Sequence, residues 1–585
     1  MTRIAIVRKE RCKGGIDCPY ICMNACPVNR SGKNCICIEE KTKKVVIDEQ
    51  LCIGCGICVK KCPYDAIDII NLPEQLTKNP VHRYGRNGFH LYNLPIPIFG
   101  QVVGIVGRNG IGKSTALRIL SGNLKPNLGE EKEADYRQMI DFFKGTEAQV
   151  FFEKLKKGEI KVAFKPQAVE LIAKQFEGKV RDLLKKADEK NKLNEIAEKL
   201  ELKNILDNNV KEISGGELQR VAIAATVLKK ANLYVFDEPT SYLDIKQRIK
   251  VSKFIKELAD EKTAVLLVEH DLIILDFMAD LIHIVYGKEG SYGVISQPKS
   301  VKNGINVYLE GYMKEENMRF RDKPIKFLAH PPSESRKGFT LTSWSVIKKK
   351  LGNFNLSGEK GEIKKPEVVG IVGENGIGKT TFVKILAGVI KADSGEVLNE
   401  VKVSYKPQYI SPDSDELVSN VLRDAITKYE VQIMRPLELK HFLTKKISEL
   451  SGGELQRVAI AECLSRDADL YLLDEPSAYL DIEQRLLVSK VIREMMEKNS
   501  KSCLVVDHDL LFIDYVSERM MVFEGKPAVS GLAKGPFSML QGMNMFLEDL
   551  DITMRREIET LRPRINKPGS QMDVKQKAEG KRYYV

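Results

Sequence analysis

Two phosphate-binding loops constrain this chain more than any other feature. They read Gly107-Arg-Asn-Gly-Ile-Gly112-Lys113-Ser114 and Gly373-Glu-Asn-Gly-Ile-Gly378-Lys379-Thr380. Each follows an apolar strand pattern, Val102 to Val106 or Val368 to Val372. Each opens a helix pattern, Thr115 to Leu120 or Thr381 to Leu386. That strand–loop–helix context is what such a loop requires. Gly110, Gly112, Gly376 and Gly378, with Asn109 and Asn375, present backbone N–H groups to phosphates, and the helix N-terminus adds favourable partial charge. Lys113 and Lys379 are placed for the β/γ-phosphates. Ser114 and Thr380 are placed for Mg²⁺, and Thr115 and Thr381 complete the two cradles. One such loop arises by chance; two in matched context mean two α/β nucleotide-binding units.

Further along, Leu233-Tyr-Val-Phe-Asp237-Glu238 and Leu470-Tyr-Leu-Leu-Asp474-Glu475 read as buried strands ending in paired carboxylates. Asp237 and Asp474 suit the metal, through water. Glu238 and Glu475 suit polarisation of an attacking water. Ser214-Gly215-Gly216-Glu-Leu-Gln-Arg220 and Ser451-Gly452-Gly453-Glu-Leu-Gln-Arg457 separate one class of phosphate-loop enzymes from the rest. With these motifs residues 74 to 535 resemble the ATP-binding-cassette (ABC) superfamily. That resemblance implies that the Ser-Gly-Gly of one cassette closes over the ATP of the other, pairing Lys113 with Ser451 and Lys379 with Ser214. It also implies that Gln167 and Gln408 contact metal and water, and that His270 and His508 respond to the γ-phosphate. Ser241-Tyr-Leu-Asp244 and Ala478-Tyr-Leu-Asp481 would be crossing loops. Adenine wants an aromatic platform ahead of the loop; Tyr84 and Phe89 fit in the first unit and Phe354 in the second.

Spacing exposes an insertion. From Lys113 to Ser214 is 101 residues against 72 from Lys379 to Ser451, and most of the surplus precedes Gln167. The segment, near 127–160, reads as two helices, 134–143 and 147–157, turned at Lys144-Gly145. Thr146 with Gln149 is expected to form a capping box. The pair suits a projecting contact device or a structural elaboration.

Ten of the twelve cysteines lie before residue 63. Cys52, Cys55, Cys58 and Cys62, followed by Pro63, give the ferredoxin spacing C-x2-C-x2-C-x3-C-P. Cys12, Cys18, Cys22 and Cys26 form a looser quartet that also ends in Cys-Pro. In two-cluster ferredoxins the fourth cysteine of each run serves the other cluster. The expected ligand sets are therefore Cys52, Cys55, Cys58 with Cys26, and Cys12, Cys18, Cys22 with Cys62. Zinc in one four-cysteine site is the competing expectation. Cys35 and Cys37 exceed the eight thiolates needed and read as strand residues; Cys463 and Cys503 read as core. No flavin motif accompanies the clusters, which favours a structural role.

Net charge is +12, from 92 Lys and Arg against 80 Asp and Glu. The end of the chain, 555–585, has nine basic and four acidic residues. It could meet nucleic-acid phosphates or be a solvated, disordered tail. No stretch has the ~18 uninterrupted apolar residues of a membrane span. The start of the chain is strand-like and lacks a signal pattern, so a cytoplasmic protein is expected. The expected architecture is α/β: two tandem nucleotide-binding domains after an α+β ferredoxin-like two-cluster domain. Its divisions are 1–73 (iron–sulfur), 74–302 (first cassette), 303–330 (hinge), 331–534 (second cassette) and 535–585 (second hinge and basic tail). Pro and basic residues in both hinges suit a semi-rigid bracket crossing between lobes.

Ferredoxin domain, tandem cassettes, helical insertion and basic hinges together resemble the ABC-E, or ribonuclease L inhibitor, family over essentially the whole chain. That resemblance implies ATP hydrolysis at two composite sites, with ATP, Mg²⁺ and two [4Fe-4S] clusters. It also implies separation of ribosomal subunits after termination or stalling, with a release factor or Pelota-type protein bound. The ribosome, especially the small subunit and its rRNA, would be the partner of a monomer working away from membranes. The rivals are an ATPase serving a membrane transporter and an electron-coupled ATPase.

Overall fold

The computed structural model describes residues 3–15, 17–71, 79–327, 339–398, 401–408 and 414–583. The expected divisions at 73/74 and 330/331 lie outside the described residues.

The repeat read from the sequence becomes two sheets of one topology. In the first, Leu281–Lys288, Val102–Val106, Ala264–Val268, Leu233–Asp237 and Val162–Lys165 lie side by side and parallel. In the second, Arg519–Lys526, Glu367–Val372, Ser502–Val506, Leu470–Asp474 and Val403–Lys406 repeat that order. The central strands are buried along their whole length. Near-continuous Val, Ile and Leu suits a parallel sheet covered on both faces. Parallel register aligns the strands' C-terminal ends, so the loops that follow them gather at one edge.

Residues 3–71 form a small unit of two antiparallel pairs, Arg3–Val7 with Ile67–Asn71 and Ile36–Ile38 with Val45–Ile47, and three short helices. It is fastened to the first cassette through Asn87, which is buried with φ 55. The Asn87 side chain accepts from the Ile47 N–H at 2.8 Å and donates to the Ile47 carbonyl at 2.9 Å, while Val7 N–H donates to the Asn87 carbonyl at 2.9 Å. Contact with the second lobe includes the exposed pair His441–Asp65, at 3.2 Å.

The insertion folds as helices Tyr136–Phe142 and Glu147–Lys156. Thr146 makes no capping box: its hydroxyl donates back to the Phe143 carbonyl, and Gln149 accepts from Gly145 N–H. The box forms one helix earlier, between Asp135 and Gln138. Phe143, Phe151 and Phe152 anchor the pair on the first cassette's core.

The described residues of the tail are folded, and the lobes take up part of its basic charge, while Lys567, Lys575 and Lys581 stay exposed. Arg562 is fully buried and pairs with Asp276 of the first lobe at 2.9 Å, joined by Arg564 at 3.0 Å. Arg556 pairs with Asp514 of the second lobe at 3.1 Å. The first hinge crosses the other way: Arg321 Nε donates to Glu483 of the second lobe at 3.0 Å. Met554, Ile565 and Tyr583 join a hydrophobic core continuous with both lobes. The expected divisions at 302/303 and 534/535 fall inside helix Val301–Glu310 and strand Ser530–Ser538, because the bracket grows from the cassettes' own last elements.

Candidate functional site: two composite nucleotide sites and two thiol pockets

At each phosphate loop the glycine preceding the helix is left-handed, with φ 94 at Gly112 and 92 at Gly378. A Cβ there would collide with Phe89 or Phe354. Those two phenylalanines thus brace the loop from below, whereas Tyr84 is exposed and its hydroxyl lies 3.3 Å from that of Thr115. Phe89 and Phe354 are partly buried against the loop glycines. Lys113 and Lys379 are buried, each Nζ donating to carbonyls of its own loop, as at Gly107 (2.8 Å) and Gly373 (2.9 Å).

The strand-end acids meet the predicted partners. Thr380 Oγ1 donates to Asp474 at 2.7 Å, and Ser114 hydrogen-bonds Asp237 in the first lobe. Gln167 and Gln408 each donate to the carboxylate of Glu238 or Glu475 at 2.7 Å. His270 Nε2 lies 3.3 Å from Glu238 and His508 Nε2 lies 3.5 Å from Glu475. One Asp237 carboxylate oxygen is buried without a hydrogen-bond partner. A hard cation with oxygen ligands fits there: hydroxyl, carboxylate and amide oxygens are the donors Mg²⁺ prefers.

Electrostatically the two sites differ. Burial, then Asp507 and Asp474, push the Glu475 carboxyl up to about 7. Burial also opposes charge on Glu238, but His270, 3.3 Å away, brings it down to about 2. Burial, with Lys379 and Arg248, pushes His508 well below the ordinary histidine range, so it offers Glu475 no counter-charge. Given the matching distances, we take both as sites of one kind with unequal local charge.

Each site borrows from the opposite lobe. Asp481 accepts from the Asn109 N–H at 3.1 Å, and Asp244 accepts from the Asn375 N–H at 3.0 Å. Two residues beyond each aspartate an ion pair follows with its signs exchanged, Arg108–Glu483 at 3.3 Å and Lys246–Glu374 at 2.6 Å. Tyr242 and Tyr479 meet between them. Ser214 and Ser451 cap their signature helices in full capping boxes, leaving Gly215, Gly216, Gly452 and Gly453 in the first turn.

Near the N-terminus the thiols gather as two sets. Cys26, Cys52, Cys55 and Cys58 line one cavity. Cys12, Cys18 and Cys62 surround Cys22. Burial chiefly, and then the neighbouring thiols, push Cys22 up to about 12 and Cys58 up to about 11. Such thiols ionise when a cationic iron–sulfur core takes their charge, and soft sulfur is the donor it needs. Cys37 lies in its strand and is exposed. Cys35 precedes that strand, is fully buried and lines the first cavity beside Cys26 and Cys52. Cys463 and Cys503 are buried core residues.

Sequence reasoning missed Lys165 and Lys406, both fully buried and both donating to carbonyls of the strand-end acids. Burial drives each down to about 8 against the pull of those acids. The repeated Lys-Pro-Gln, 165–167 and 406–408, was the available signal.

This geometry defines a class: a twin-cassette ATPase whose lobes complete each other's sites, joined to a thiol-rich domain. The sequence model of the ABC transporter family matches residues 98–241 and 356–478, and that of the 4Fe-4S binding domain matches 45–68. ABC transporter E family member 1 of Arabidopsis thaliana is 44% identical, covering 100% of this chain and 99% of that protein. A structure described as a model of ribosome-bound archaeal Pelota and ABCE1 is 52% identical, covers 100% and 99% of the two chains, and superposes with a TM-score of 0.93. The crystal structure of the complex of archaeal ribosomal stalk protein aP1 and archaeal ribosome recycling factor aABCE1 gives 53%, 87% and 99%, and 0.83. The chain belongs to the ABC-E, or ribonuclease L inhibitor, family. It is an ATPase with an iron–sulfur region, and among the described residues no helix is long and apolar enough to cross a membrane.

Proposed function

We propose that this chain is an ATP-driven ribosome recycling factor, in which closure of the cassettes displaces the iron–sulfur domain and separates the subunits after termination or stalling. The observation that carries it is the reciprocal contact of Asp244 and Asp481 with the opposite phosphate loops, beside a thiol-rich domain docked on the first lobe. A nucleotide held by one lobe and touched by the other favours the closed state by differential affinity. Lys113 and Lys379 hold the phosphates. Ser114, Thr380, Asp237 and Asp474, with Gln167 and Gln408, would hold Mg²⁺, which when bound neutralises charge on the phosphates. Glu238 and Glu475 orient and polarise water, and His270 and His508 stand beside those carboxylates to respond to the γ-phosphate. Cys52, Cys55, Cys58 with Cys26, and Cys12, Cys18, Cys22 with Cys62, would ligate two [4Fe-4S] clusters that stiffen the domain. The partners are the ribosome, chiefly the small subunit and its rRNA, and a release factor or Pelota-type protein. A monomer acting in the cytoplasm is the matching state.

Binding and closure perform the splitting; hydrolysis resets the lobes. The test is subunit dissociation with purified components, followed on sucrose gradients. ATP should split the particles, and the double variant Glu238→Gln, Glu475→Gln should remain ATP-loaded on the small subunit. A double variant that stays ribosome-free under saturating ATP would overturn the mechanism. Redox-dependent ATP turnover would point instead to an electron-coupled enzyme.

A further inference from the structure

Glu238 and Glu475 carry an unusual backbone: φ is 48 and 47, left-handed at residues that are not glycine. Non-glycine residues stay in that region only when their surroundings over-determine it. Two buried donors do so. Lys165 Nζ donates to the carbonyls of Asp237 and Glu238 at 2.9 and 3.1 Å, and Gln219 Nε2 donates to the same Glu238 carbonyl at 2.7 Å. The second lobe repeats the device with Lys406 (2.8 and 3.4 Å) and Gln456 (2.7 Å). All four side chains are essentially without solvent exposure. They come from two different elements, the strand that ends at Lys165 or Lys406 and the signature helix.

We propose that Lys165 and Lys406 are positioning residues for hydrolysis, holding the backbone of Glu238 and Glu475 left-handed so that each carboxylate faces the nucleotide. This rests on the assignment of those glutamates as the water-activating groups. The peptide planes on either side of the glutamate set its direction, and an ammonium bonded to both carbonyls fixes both planes at once. Pro166 and Pro407 then hold the chain extended, so Gln167 and Gln408, two residues on, reach the carboxylate itself. One short segment grips each glutamate at its backbone and at its side chain. Because the signature helix supplies the other donor, its Ser-Gly-Gly end and the glutamate belong to one hydrogen-bonded unit.

The test uses the full, cluster-loaded chain in single-site form. In an E475Q background the remaining turnover belongs to Glu238; K165M then removes the ammonium while nearly preserving side-chain length. Turnover should fall about 10- to 100-fold, the range expected of a displaced catalytic group, with affinity for a fluorescent ATP analogue essentially unchanged. K406M in an E238Q background should repeat the result. Q219L, which removes the second donor to the same carbonyl, should show the same split and supplies the answer if K165M does not fold. Unchanged turnover, or a loss of turnover matched by an equal loss of nucleotide affinity, overturns the proposal. If E238Q with E475Q still hydrolyses ATP, the glutamate assignment has failed instead.

Discussion

Asp244 and Asp481 each serve two lobes with one carboxylate, and replacement by asparagine divides those duties. Asp244 Oδ1 accepts from Gln247 N–H at 2.9 Å, capping its own helix, while Oδ2 accepts from Asn375 N–H of the other lobe at 3.0 Å. Asp481 does the same with Gln484 at 3.0 Å and Asn109 at 3.1 Å. Burial opposes its charge, but the Gln484 and Asn109 N–H groups, then His270 and Lys113, keep its carboxyl below the usual range. An amide has one acceptor and one donor, so it can satisfy only one of two facing N–H groups. Asparagine caps about as well as aspartate, so the loss falls on the contact between lobes. A hydrogen bond to a charged group contributes about 1.5–3 kcal/mol, so D244N with D481N removes roughly 3–6 kcal/mol if the sites add. That corresponds to a closed population reduced by about 10²- to 10⁴-fold. Small-angle scattering of the full chain, titrated with a non-hydrolysable ATP analogue, should show the compaction midpoint displaced accordingly. Melting in the absence of nucleotide should change little, whereas D244A, which also loses the cap, should lose about a further 1 kcal/mol. If D244N with D481N compacts at the parent's nucleotide concentration, the crossing aspartates do not hold the lobes together.

Three further outcomes follow from the same geometry. R562M removes the fully buried one of Asp276's two arginine partners and leaves Arg564; losing a hydrogen bond to a charged group costs about 1.5–3 kcal/mol, to be read as a lowered denaturant midpoint. Asp271 lies beside Asp509 across the lobes, and burial, then that neighbour, raise its carboxyl from 3.8 to about 6. The folded chain therefore binds this proton more tightly than the unfolded chain. The contribution is full below about pH 4 and is lost as pH rises through about 6. Asp271 also pairs with Arg248 at 3.0 Å, so the test lies in the pH dependence. The melting temperature of D271N relative to the parent should be higher at pH 7 than at pH 5, and an equal difference at both would refute the coupling. C58S and C22S should each halve bound iron while sparing the other cluster's electron paramagnetic resonance signal; loss of both signals from either variant would mean the two thiol sets are not independent.

What could be read in advance was whatever chemistry demands over a short stretch. A phosphate cradle needs glycines, a lysine and a hydroxyl at fixed offsets, and a cluster needs closely spaced thiols. Those motifs therefore announced Lys113, Asp237 and Cys52 without any fold. The reciprocal role of Asp244 and Asp481 came only with the family resemblance, because their partners lie 131 and 372 residues away. Thr146 and Gln149 had the spacing of a capping box, yet the Phe143 carbonyl took the hydroxyl once the phenylalanines had fixed the turn. Propensity was outweighed there by tertiary anchoring.

The basic tail shows most clearly why charge alone misleads. Arg562 and Arg564 resembled a phosphate-binding patch because their partner, Asp276, stands 286 and 288 residues earlier. Asp276 follows His270 by six residues, and Asp514, which holds Arg556, follows His508 by six. Both acids sit on the helix that begins immediately after a histidine facing a nucleotide site. One hairpin, Met554–Arg556 with Pro563–Ile565, thus grips the same point of the repeat in both lobes. Each histidine's helix is tied to the same hairpin by a buried ion pair, and removing one partner of such a pair is strongly destabilising. Lys567, Lys575 and Lys581 stay at the surface, while Arg556, Arg562 and Arg564 are drawn inward. The twofold likeness of the cassettes gives them two matched carboxylates to hold.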